Sequence, residues 1–190
     1  MPKIIENIEK NIIDAAFKLF SEKGYNDIEM KAIAKKAGIA VGTLYNYFPN
    51  KKELFIEIFI HSWNETFKQL DNILKLSIDP VEKIKKYLFF LYDEVEKKKG
   101  LVNELIKNNI IKKEDKHPKF LCKEDIITNV ETILKEIRKK YGLKFDEKMD
   151  YRMSEILLIS VFENVFHHTL EKEFNKKFIV KLVECLIEED

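Results

Sequence analysis

Tyr45 and Tyr47 stand two residues apart in the stretch GTLYNYFPNKKELF, and Lys51 and Lys52 follow directly after the Pro49–Asn50 pair. Phenol hydroxyls donate hydrogen bonds, and lysine ammonium groups add charge to theirs. No histidine, serine or cysteine accompanies them, so the cluster suits capture of an anionic oxygen such as a phosphate. Two residues spaced this way cannot share one face of a helix. Both have polar tips, which fit a surface better than a core.

The elements that must hold this cluster read as helices. Ile5, Ile8, Ile12, Ala15 or Ala16, and Leu19 recur every three or four residues, which predicts a first helix ending at Lys23–Gly24. A short second helix is expected over about 29–37, stopped by Gly38, and a third over about 41–48, closed by Pro49. Asn50 then caps a long helix running to Leu74, with Glu53 placed to complete a capping box. Asp79–Pro80–Val81–Glu82 opens another, expected to stop at Gly100 and to be followed by a short helix over about 101–108. His117–Pro118 marks a break. Further helices are expected over about 123–141, 147–170 and 175–187. No alternating strand with a turn signal at its end is visible. The fold class is therefore all-α, with about nine helices: a head at 1–50 and a helical body at 51–190.

Composition supports this. An apolar share of 45% and a charged share of 35% describe an ordered, helix-friendly chain. The five glycines and four prolines are too few for a turn-rich sheet protein. The N-terminus lacks the apolar stretch of a secretory signal. Ile156–Phe162, the longest nearly pure apolar run, is far shorter than the roughly 18 residues that span a bilayer. No membrane association is expected, and the location is expected to be cytoplasmic. Cys122 and Cys185 lie far apart, as expected of two reduced thiols.

The net charge of +1 is unevenly spread. Residues 1–52 hold nine lysines and six acids, whereas the rest hold 25 cations and 27 acids. Between Met30 and Lys52 there are five lysines and no acid. A basic head on a slightly acidic body suits an anionic polymer that touches one end.

The second and third helices are too short to persist alone, since isolated helices under about 12 residues are marginal in water. Packing through Ile33, Ala34, Ala37, Ile39 and Leu44, with Gly38 at the turn, gives a helix-turn-helix. In that motif the second helix enters the major groove of duplex DNA. The motif spans about 29–48. Tyr45 and Tyr47 then become donors to backbone phosphates, and Lys51 and Lys52 sit at a helix N-terminus that already favours an anion.

The segments AFKLFSEKGY and IAKKAGIAVGTLYNYFPNKKELF closely resemble the N-terminal domain of the TetR family of transcriptional regulators. The likeness covers about residues 8–60, and the family-type domain extends to about 66. It implies a homodimer on a palindromic double-stranded DNA operator, with a C-terminal helical domain that binds a small effector. Carried over by position, Val41, Gly42, Thr43, Tyr45 and Tyr47 face the groove or its walls, Lys51 holds a phosphate and Lys31 reaches DNA from the second helix. Ala40, Asn46 and Lys52 complete the set expected at DNA. Ile28–Glu29 stand where the family usually has a hydroxyl residue, and Asp27 could cap there instead. Both arginines, Arg138 and Arg152, lie far downstream of the head. The commonest specific contact, arginine to guanine, is thus absent from it, which favours A·T-rich half-sites.

In the body, Ile156–Phe162 is apolar on every side of a helix, and Phe178–Ile187 nearly so, which implies burial on more than one face. Ile156, Ile159, Phe162, Phe166, Ile179, Val183 and Leu186 are the expected dimer contacts. Phe59, Trp63, Phe67, Phe89, Tyr92, Phe120, Tyr151 and Phe166 are candidates for an effector pocket, although aromatic stripes at helical spacing more often form plain core. The effector is expected to be small and apolar or aromatic. No phosphate-binding loop, zinc-protease, nucleophile-elbow or C-x-x-C motif is present, so neither enzymatic activity nor a cofactor or metal is expected. A helical interaction module that has lost DNA binding, or a helical enzyme, is the alternative reading. In the DNA-binding reading, an effector that tilts the long helix from Asn50 to Leu74 relieves repression.

Overall fold

The computed structural model describes residues 7–108, 110, 123–144 and 146–187. Eight helices and no strand are found among them: α1 (Ile8–Lys23), α2 (Met30–Ala37), α3 (Val41–Tyr47), α4 (Lys51–Leu74), α5 (Pro80–Lys107), α6 (Lys123–Tyr141), α7 (Glu147–His167) and α8 (Lys172–Cys185). Two of the expected helices are one. α5 runs straight through Gly100 because its buried stripe does not pause there: Leu91, Val95, Lys98, Leu101 and Leu105 follow at spacings of four, three, three and four. Continuing that stripe outweighs the roughly 1 kcal/mol that an interior glycine costs a helix. The His117–Pro118 break, Cys122 and Ile5 lie outside the described residues.

The chain divides into two compact units, Met1–Asn64 with Gly100–Phe120, and Glu65–Lys99 with Leu121–Asp190. In the first unit α1 packs on α2 and α2 on α3. Ile12, Ala16, Ile33, Ala34, Leu44, Leu54 and Phe55 are wholly buried there. The small Ala16 and Ala34 leave room for helices to approach closely. Phe20, Tyr25 and Phe55 form a ring cluster, with centroids 5.0 Å apart for Phe20–Phe55 and 4.9 Å for Tyr25–Phe55, both edge to face. The expected division at residue 50 thus cuts into this unit, because the first turns of α4 carry part of its core.

Local chemistry sets the helix ends. Gly38 takes the left-handed conformation (φ 71°) and ends α2, its N–H donating back to Ala34 and Lys35. At α4 a side-chain variant of the capping box forms: the Glu53 N–H donates to Asn50 Oδ1 at 2.9 Å, while Glu53 Oε1 accepts from the Asn50 side-chain Nδ2 at 2.8 Å rather than from its backbone N–H. Asp79 caps α5 by accepting from the Val81 N–H at 2.8 Å. α2 starts at Glu29 with no side-chain cap, so Asp27 does not supply one.

In the second unit α6 packs on α7 and α7 on α8. Asn175 is buried and donates to Tyr92 Oη at 3.0 Å and to the His168 carbonyl at 2.7 Å, which satisfies polar groups that burial would otherwise penalise. Asp150 is also wholly buried, and Arg138 Nε donates to its Oδ2 at 3.1 Å. Burial pushes the Asp150 carboxyl above the ordinary carboxylate range, against the pull of Arg138.

Candidate nucleic-acid interface

α3 has one buried residue, Leu44, and it turns nearly everything else outward. Tyr45 is 47% exposed and Tyr47 44%, and Ala40, Val41, Gly42 and Asn46 are exposed as well. Thr43 is half-buried. Lys31 is exposed on α2, along with Lys35. The residues picked out by sequence on α2 and α3 are thus accessible to solvent, Thr43 in part. Tyr47 borders a shallow hollow that also holds Glu9, Glu53 and Glu57. Those carboxylates make that side of Tyr47 unfavourable for an anion.

Lys51 is placed differently from a free cation. Its Nζ donates to the Asn26 carbonyl at 3.3 Å and lies 4.4 Å from the centre of the Tyr25 ring. Burial lowers its pKa, while Asp27, Glu29 and Glu104 pull it back up. Lys51 thus pins the turn between α1 and α2, and to reach a phosphate it must first leave that turn. Lys52 beside it is half-buried. Glu104 holds the same turn from α5: its Oε2 accepts from the Tyr25 N–H at 3.1 Å and from Asn108 Nδ2 at 3.0 Å. Nothing in the sequence marks Glu104, since the contact joins positions far apart in the chain.

The second unit carries an exposed apolar surface. Ile156 is 60% exposed, Ile159 50%, Phe174 66% and Phe178 43%. Together with Leu182 and Asn164 they line a groove on α7 and α8. The expectation for α8 needs correcting. Ile179 and Val183 are wholly buried and belong to the core of the unit, with Asn175 on the same stripe. The neighbouring stripe, each one residue earlier, is the outward one: Phe174 and Phe178 are exposed and Leu182 half-buried. Phe162, Phe166 and Leu186 are half-buried.

Of the aromatic candidates for an effector site, Phe59 and Trp63 are buried in the first unit and Tyr92 in the second. Phe67, Phe89 and Phe166 are half-buried in the second. Tyr151 is exposed at 44% and so does not line an interior. Phe120 lies outside the described residues. No group of three or more histidine, cysteine or acidic side chains arranged for a metal occurs among the described residues, and no helix is long and apolar enough to cross a membrane.

Three short helices joined by glycine turns, with a solvent-facing third helix bearing hydroxyl, amide and apolar groups, define a helix-turn-helix protein. Residues 12–58 match the family model described as bacterial regulatory proteins, TetR family. The chain is 34% identical over 99 residues to an uncharacterized HTH-type transcriptional regulator, YuxN, of Bacillus subtilis, a match covering 52% of this chain and 34% of that protein. It is 36% identical over 73 residues to the fatty acid metabolism regulator protein of the same organism, covering 38% of each. The chain thus spans little more than a third of the length of these curated relatives.

Among solved structures, a TetR/AcrR-family transcriptional regulator from Thermobifida fusca superposes with a TM-score of 0.78 at 18% identity, over 94% of this chain and 97% of that one. The regulator FadR from Bacillus subtilis, in complex with stearoyl-CoA, superposes with a TM-score of 0.64 at 19% identity, over 95% and 98%. At such identities the likeness establishes the fold. Residues 12–58 thus match a TetR-family domain, and the described residues share the fold of TetR-family regulators.

Proposed function

We propose that this protein is a transcriptional repressor that grips a palindromic duplex operator as a homodimer and leaves it when an apolar effector binds the helical body. The observation that carries this reading is the outward row on α3. A helix of seven residues gains little by itself, and this one turns two tyrosines and a valine to solvent. Such a surface suits a partner, and the lysines of α2 beside it suit a polyanion. Tyr45, Tyr47 and Lys31 are assigned to the backbone, and Lys51 joins them if DNA displaces it from the α1–α2 turn.

The exposed face of α7 and α8 is assigned to pairing of two copies, since a two-fold dimer presents two heads to two half-sites. For the effector, acyl-CoA thioesters are the first class to try, because one relative is named for fatty acid metabolism and one structural neighbour holds stearoyl-CoA. Relief of repression requires the ligand to favour the form that does not bind DNA; equal affinity for both forms shifts nothing.

The test is selection of random duplex DNA by the purified protein, with sequencing of what is retained, then titration of acyl-CoA into the complex. Recovery of a two-fold symmetric site supports the reading. Retention of no sequence at low salt, with a folded dimer confirmed, sinks it. Release by acyl-CoA supports the effector class, and an operator complex indifferent to it removes that class alone.

A further inference from the structure

Gly42 sits inside α3, yet a side chain placed there meets no protein atom within 4 Å. Packing therefore does not demand a glycine, and its backbone has no positive φ to require one. Glycine inside a helix is a destabilising choice relative to alanine. Nothing in the isolated protein requires it, as nothing requires Gly100 in α5, but Gly42 stands on the exposed third helix.

Helical geometry says where Gly42 points. At about 100° per residue, Gly42 and Asn46 each lie about 160° from the buried Leu44, one turn apart. They straddle the line leading straight out of the core. Thr43 and Tyr45 lie about 100° to either side of Leu44, and so form the flanks. Asn46 is exposed and none of the hydrogen bonds of the described residues engages its amide. Its carbonyl and NH₂ can accept from N6 and donate to N7 of one adenine in the major groove. The matched segment 12–58 holds no arginine that could read guanine in its place.

We propose that Asn46 reads an adenine in each operator half-site, and that Gly42 is bare so that α3 can approach the base edges closely enough for it to do so. This rests on the DNA-binding reading above and adds to it the base, the reader and the role of the glycine. Tyr45 and Thr43 then face the two walls of the groove, which hold position and carry no sequence information.

The experiment has three arms, all on the full chain. Selection with wild type and with Asn46→Ala compares the preferred base at each position. Binding of wild type to the selected site with 7-deazaadenine, which lacks N7, isolates the contact without altering the protein. Gly42→Ala is measured for thermal midpoint and for affinity. The expected results are an invariant A·T pair in the wild-type half-site and loss of that preference in Asn46→Ala. Affinity should fall about tenfold with 7-deazaadenine for wild type but not for the variant. Gly42→Ala should melt about 2 °C higher and bind about tenfold more weakly.

A half-site in which G·C occupies the position, or a preference unchanged in Asn46→Ala, overturns the assignment while leaving DNA binding intact. Undiminished binding by Gly42→Ala overturns the close-approach role. Retention of no duplex at all defeats the underlying reading instead.

Discussion

Ile159→Glu tests the assignment of the α7–α8 face to a second copy. Burying an isoleucine side chain in full is worth about 1.5–3 kcal/mol. Ile159 is already half covered in the single chain, at 50% exposure, so pairing can still gain about 1 kcal/mol from it. In a two-fold interface each substitution acts twice, which makes the apolar loss about 2 kcal/mol. Placing a carboxylate there adds a desolvation cost, taken as about 1 kcal/mol per copy because the groove is open to water.

The sum, about 4 kcal/mol, raises the dimer dissociation constant about 1,000-fold. Sedimentation velocity across a concentration series reads this directly, with helix content by circular dichroism as the control for folding. Ile179→Val is the counterpart. That residue is wholly buried, so the change should lower stability by about 1 kcal/mol and leave the dimer midpoint where it was. A dimer midpoint for Ile159→Glu within threefold of wild type would refute the assignment, as would a large shift for Ile179→Val.

Three further outcomes are expected. Asn50→Ala removes the capping box of α4 and should cost about 1 kcal/mol, lowering the thermal midpoint by about 2–4 °C. Tyr45→Phe and Tyr47→Phe each delete one hydroxyl and leave the ring. Operator affinity measured by fluorescence anisotropy should fall about five- to thirtyfold, evenly across sequences, and a change confined to one base pair would move the tyrosine from wall to floor. Arg138→Met strands the buried Asp150 and should cost about 3 kcal/mol at pH 7, the low end for a broken buried pair because Arg138 itself reaches solvent. The pH dependence has a definite sign. An acid with a raised folded pKa binds more protons folded than unfolded, so its cost is present at neutral pH and is relieved as pH falls through that pKa. The deficit of Arg138→Met in urea midpoint should therefore shrink between pH 7 and pH 4.5, and a deficit that grows on acidification would contradict the argument.

What the sequence made legible was mostly local. The capping box at Asn50 and Glu53, the cap at Asp79 and the stop at Gly38 each involve residues within one turn of one another, so spacing alone identifies them. Gly100 misled for the same reason. Three lysines followed by glycine read as a helix end, and only the stripe on both sides, carried on by Leu101 and Leu105, says otherwise. On α8 the apolar residues surround the helix, and such a pattern does not tell which side the core takes. Burial puts Ile179 and Val183 in the core and leaves Phe178 and Leu182 about 100° further round the helix, on the groove side. The ties from Lys51 and Glu104 to the α1–α2 turn depend on tertiary placement and leave no periodic trace.

Two sets of residues stand out as unexplained by the fold of a single chain. Gly42 weakens a helix that is already short, and Tyr45 and Tyr47 leave their rings in water beside it. Ile156, Ile159, Phe174 and Phe178 leave apolar area in water on α7 and α8. Scattered exposed apolar residues are ordinary, but four on one groove are a patch. Each set is unfavourable for a lone chain, and under the proposed function each would be relieved by contact of a different kind, the first with a polyanion that offers base edges, the second with an apolar surface. A second copy of the chain would supply that apolar surface and, through the two-fold axis, a second α3 as well. The two sets are thus linked by function, and disrupting the α7–α8 face should weaken operator binding without any change in the residues that read DNA.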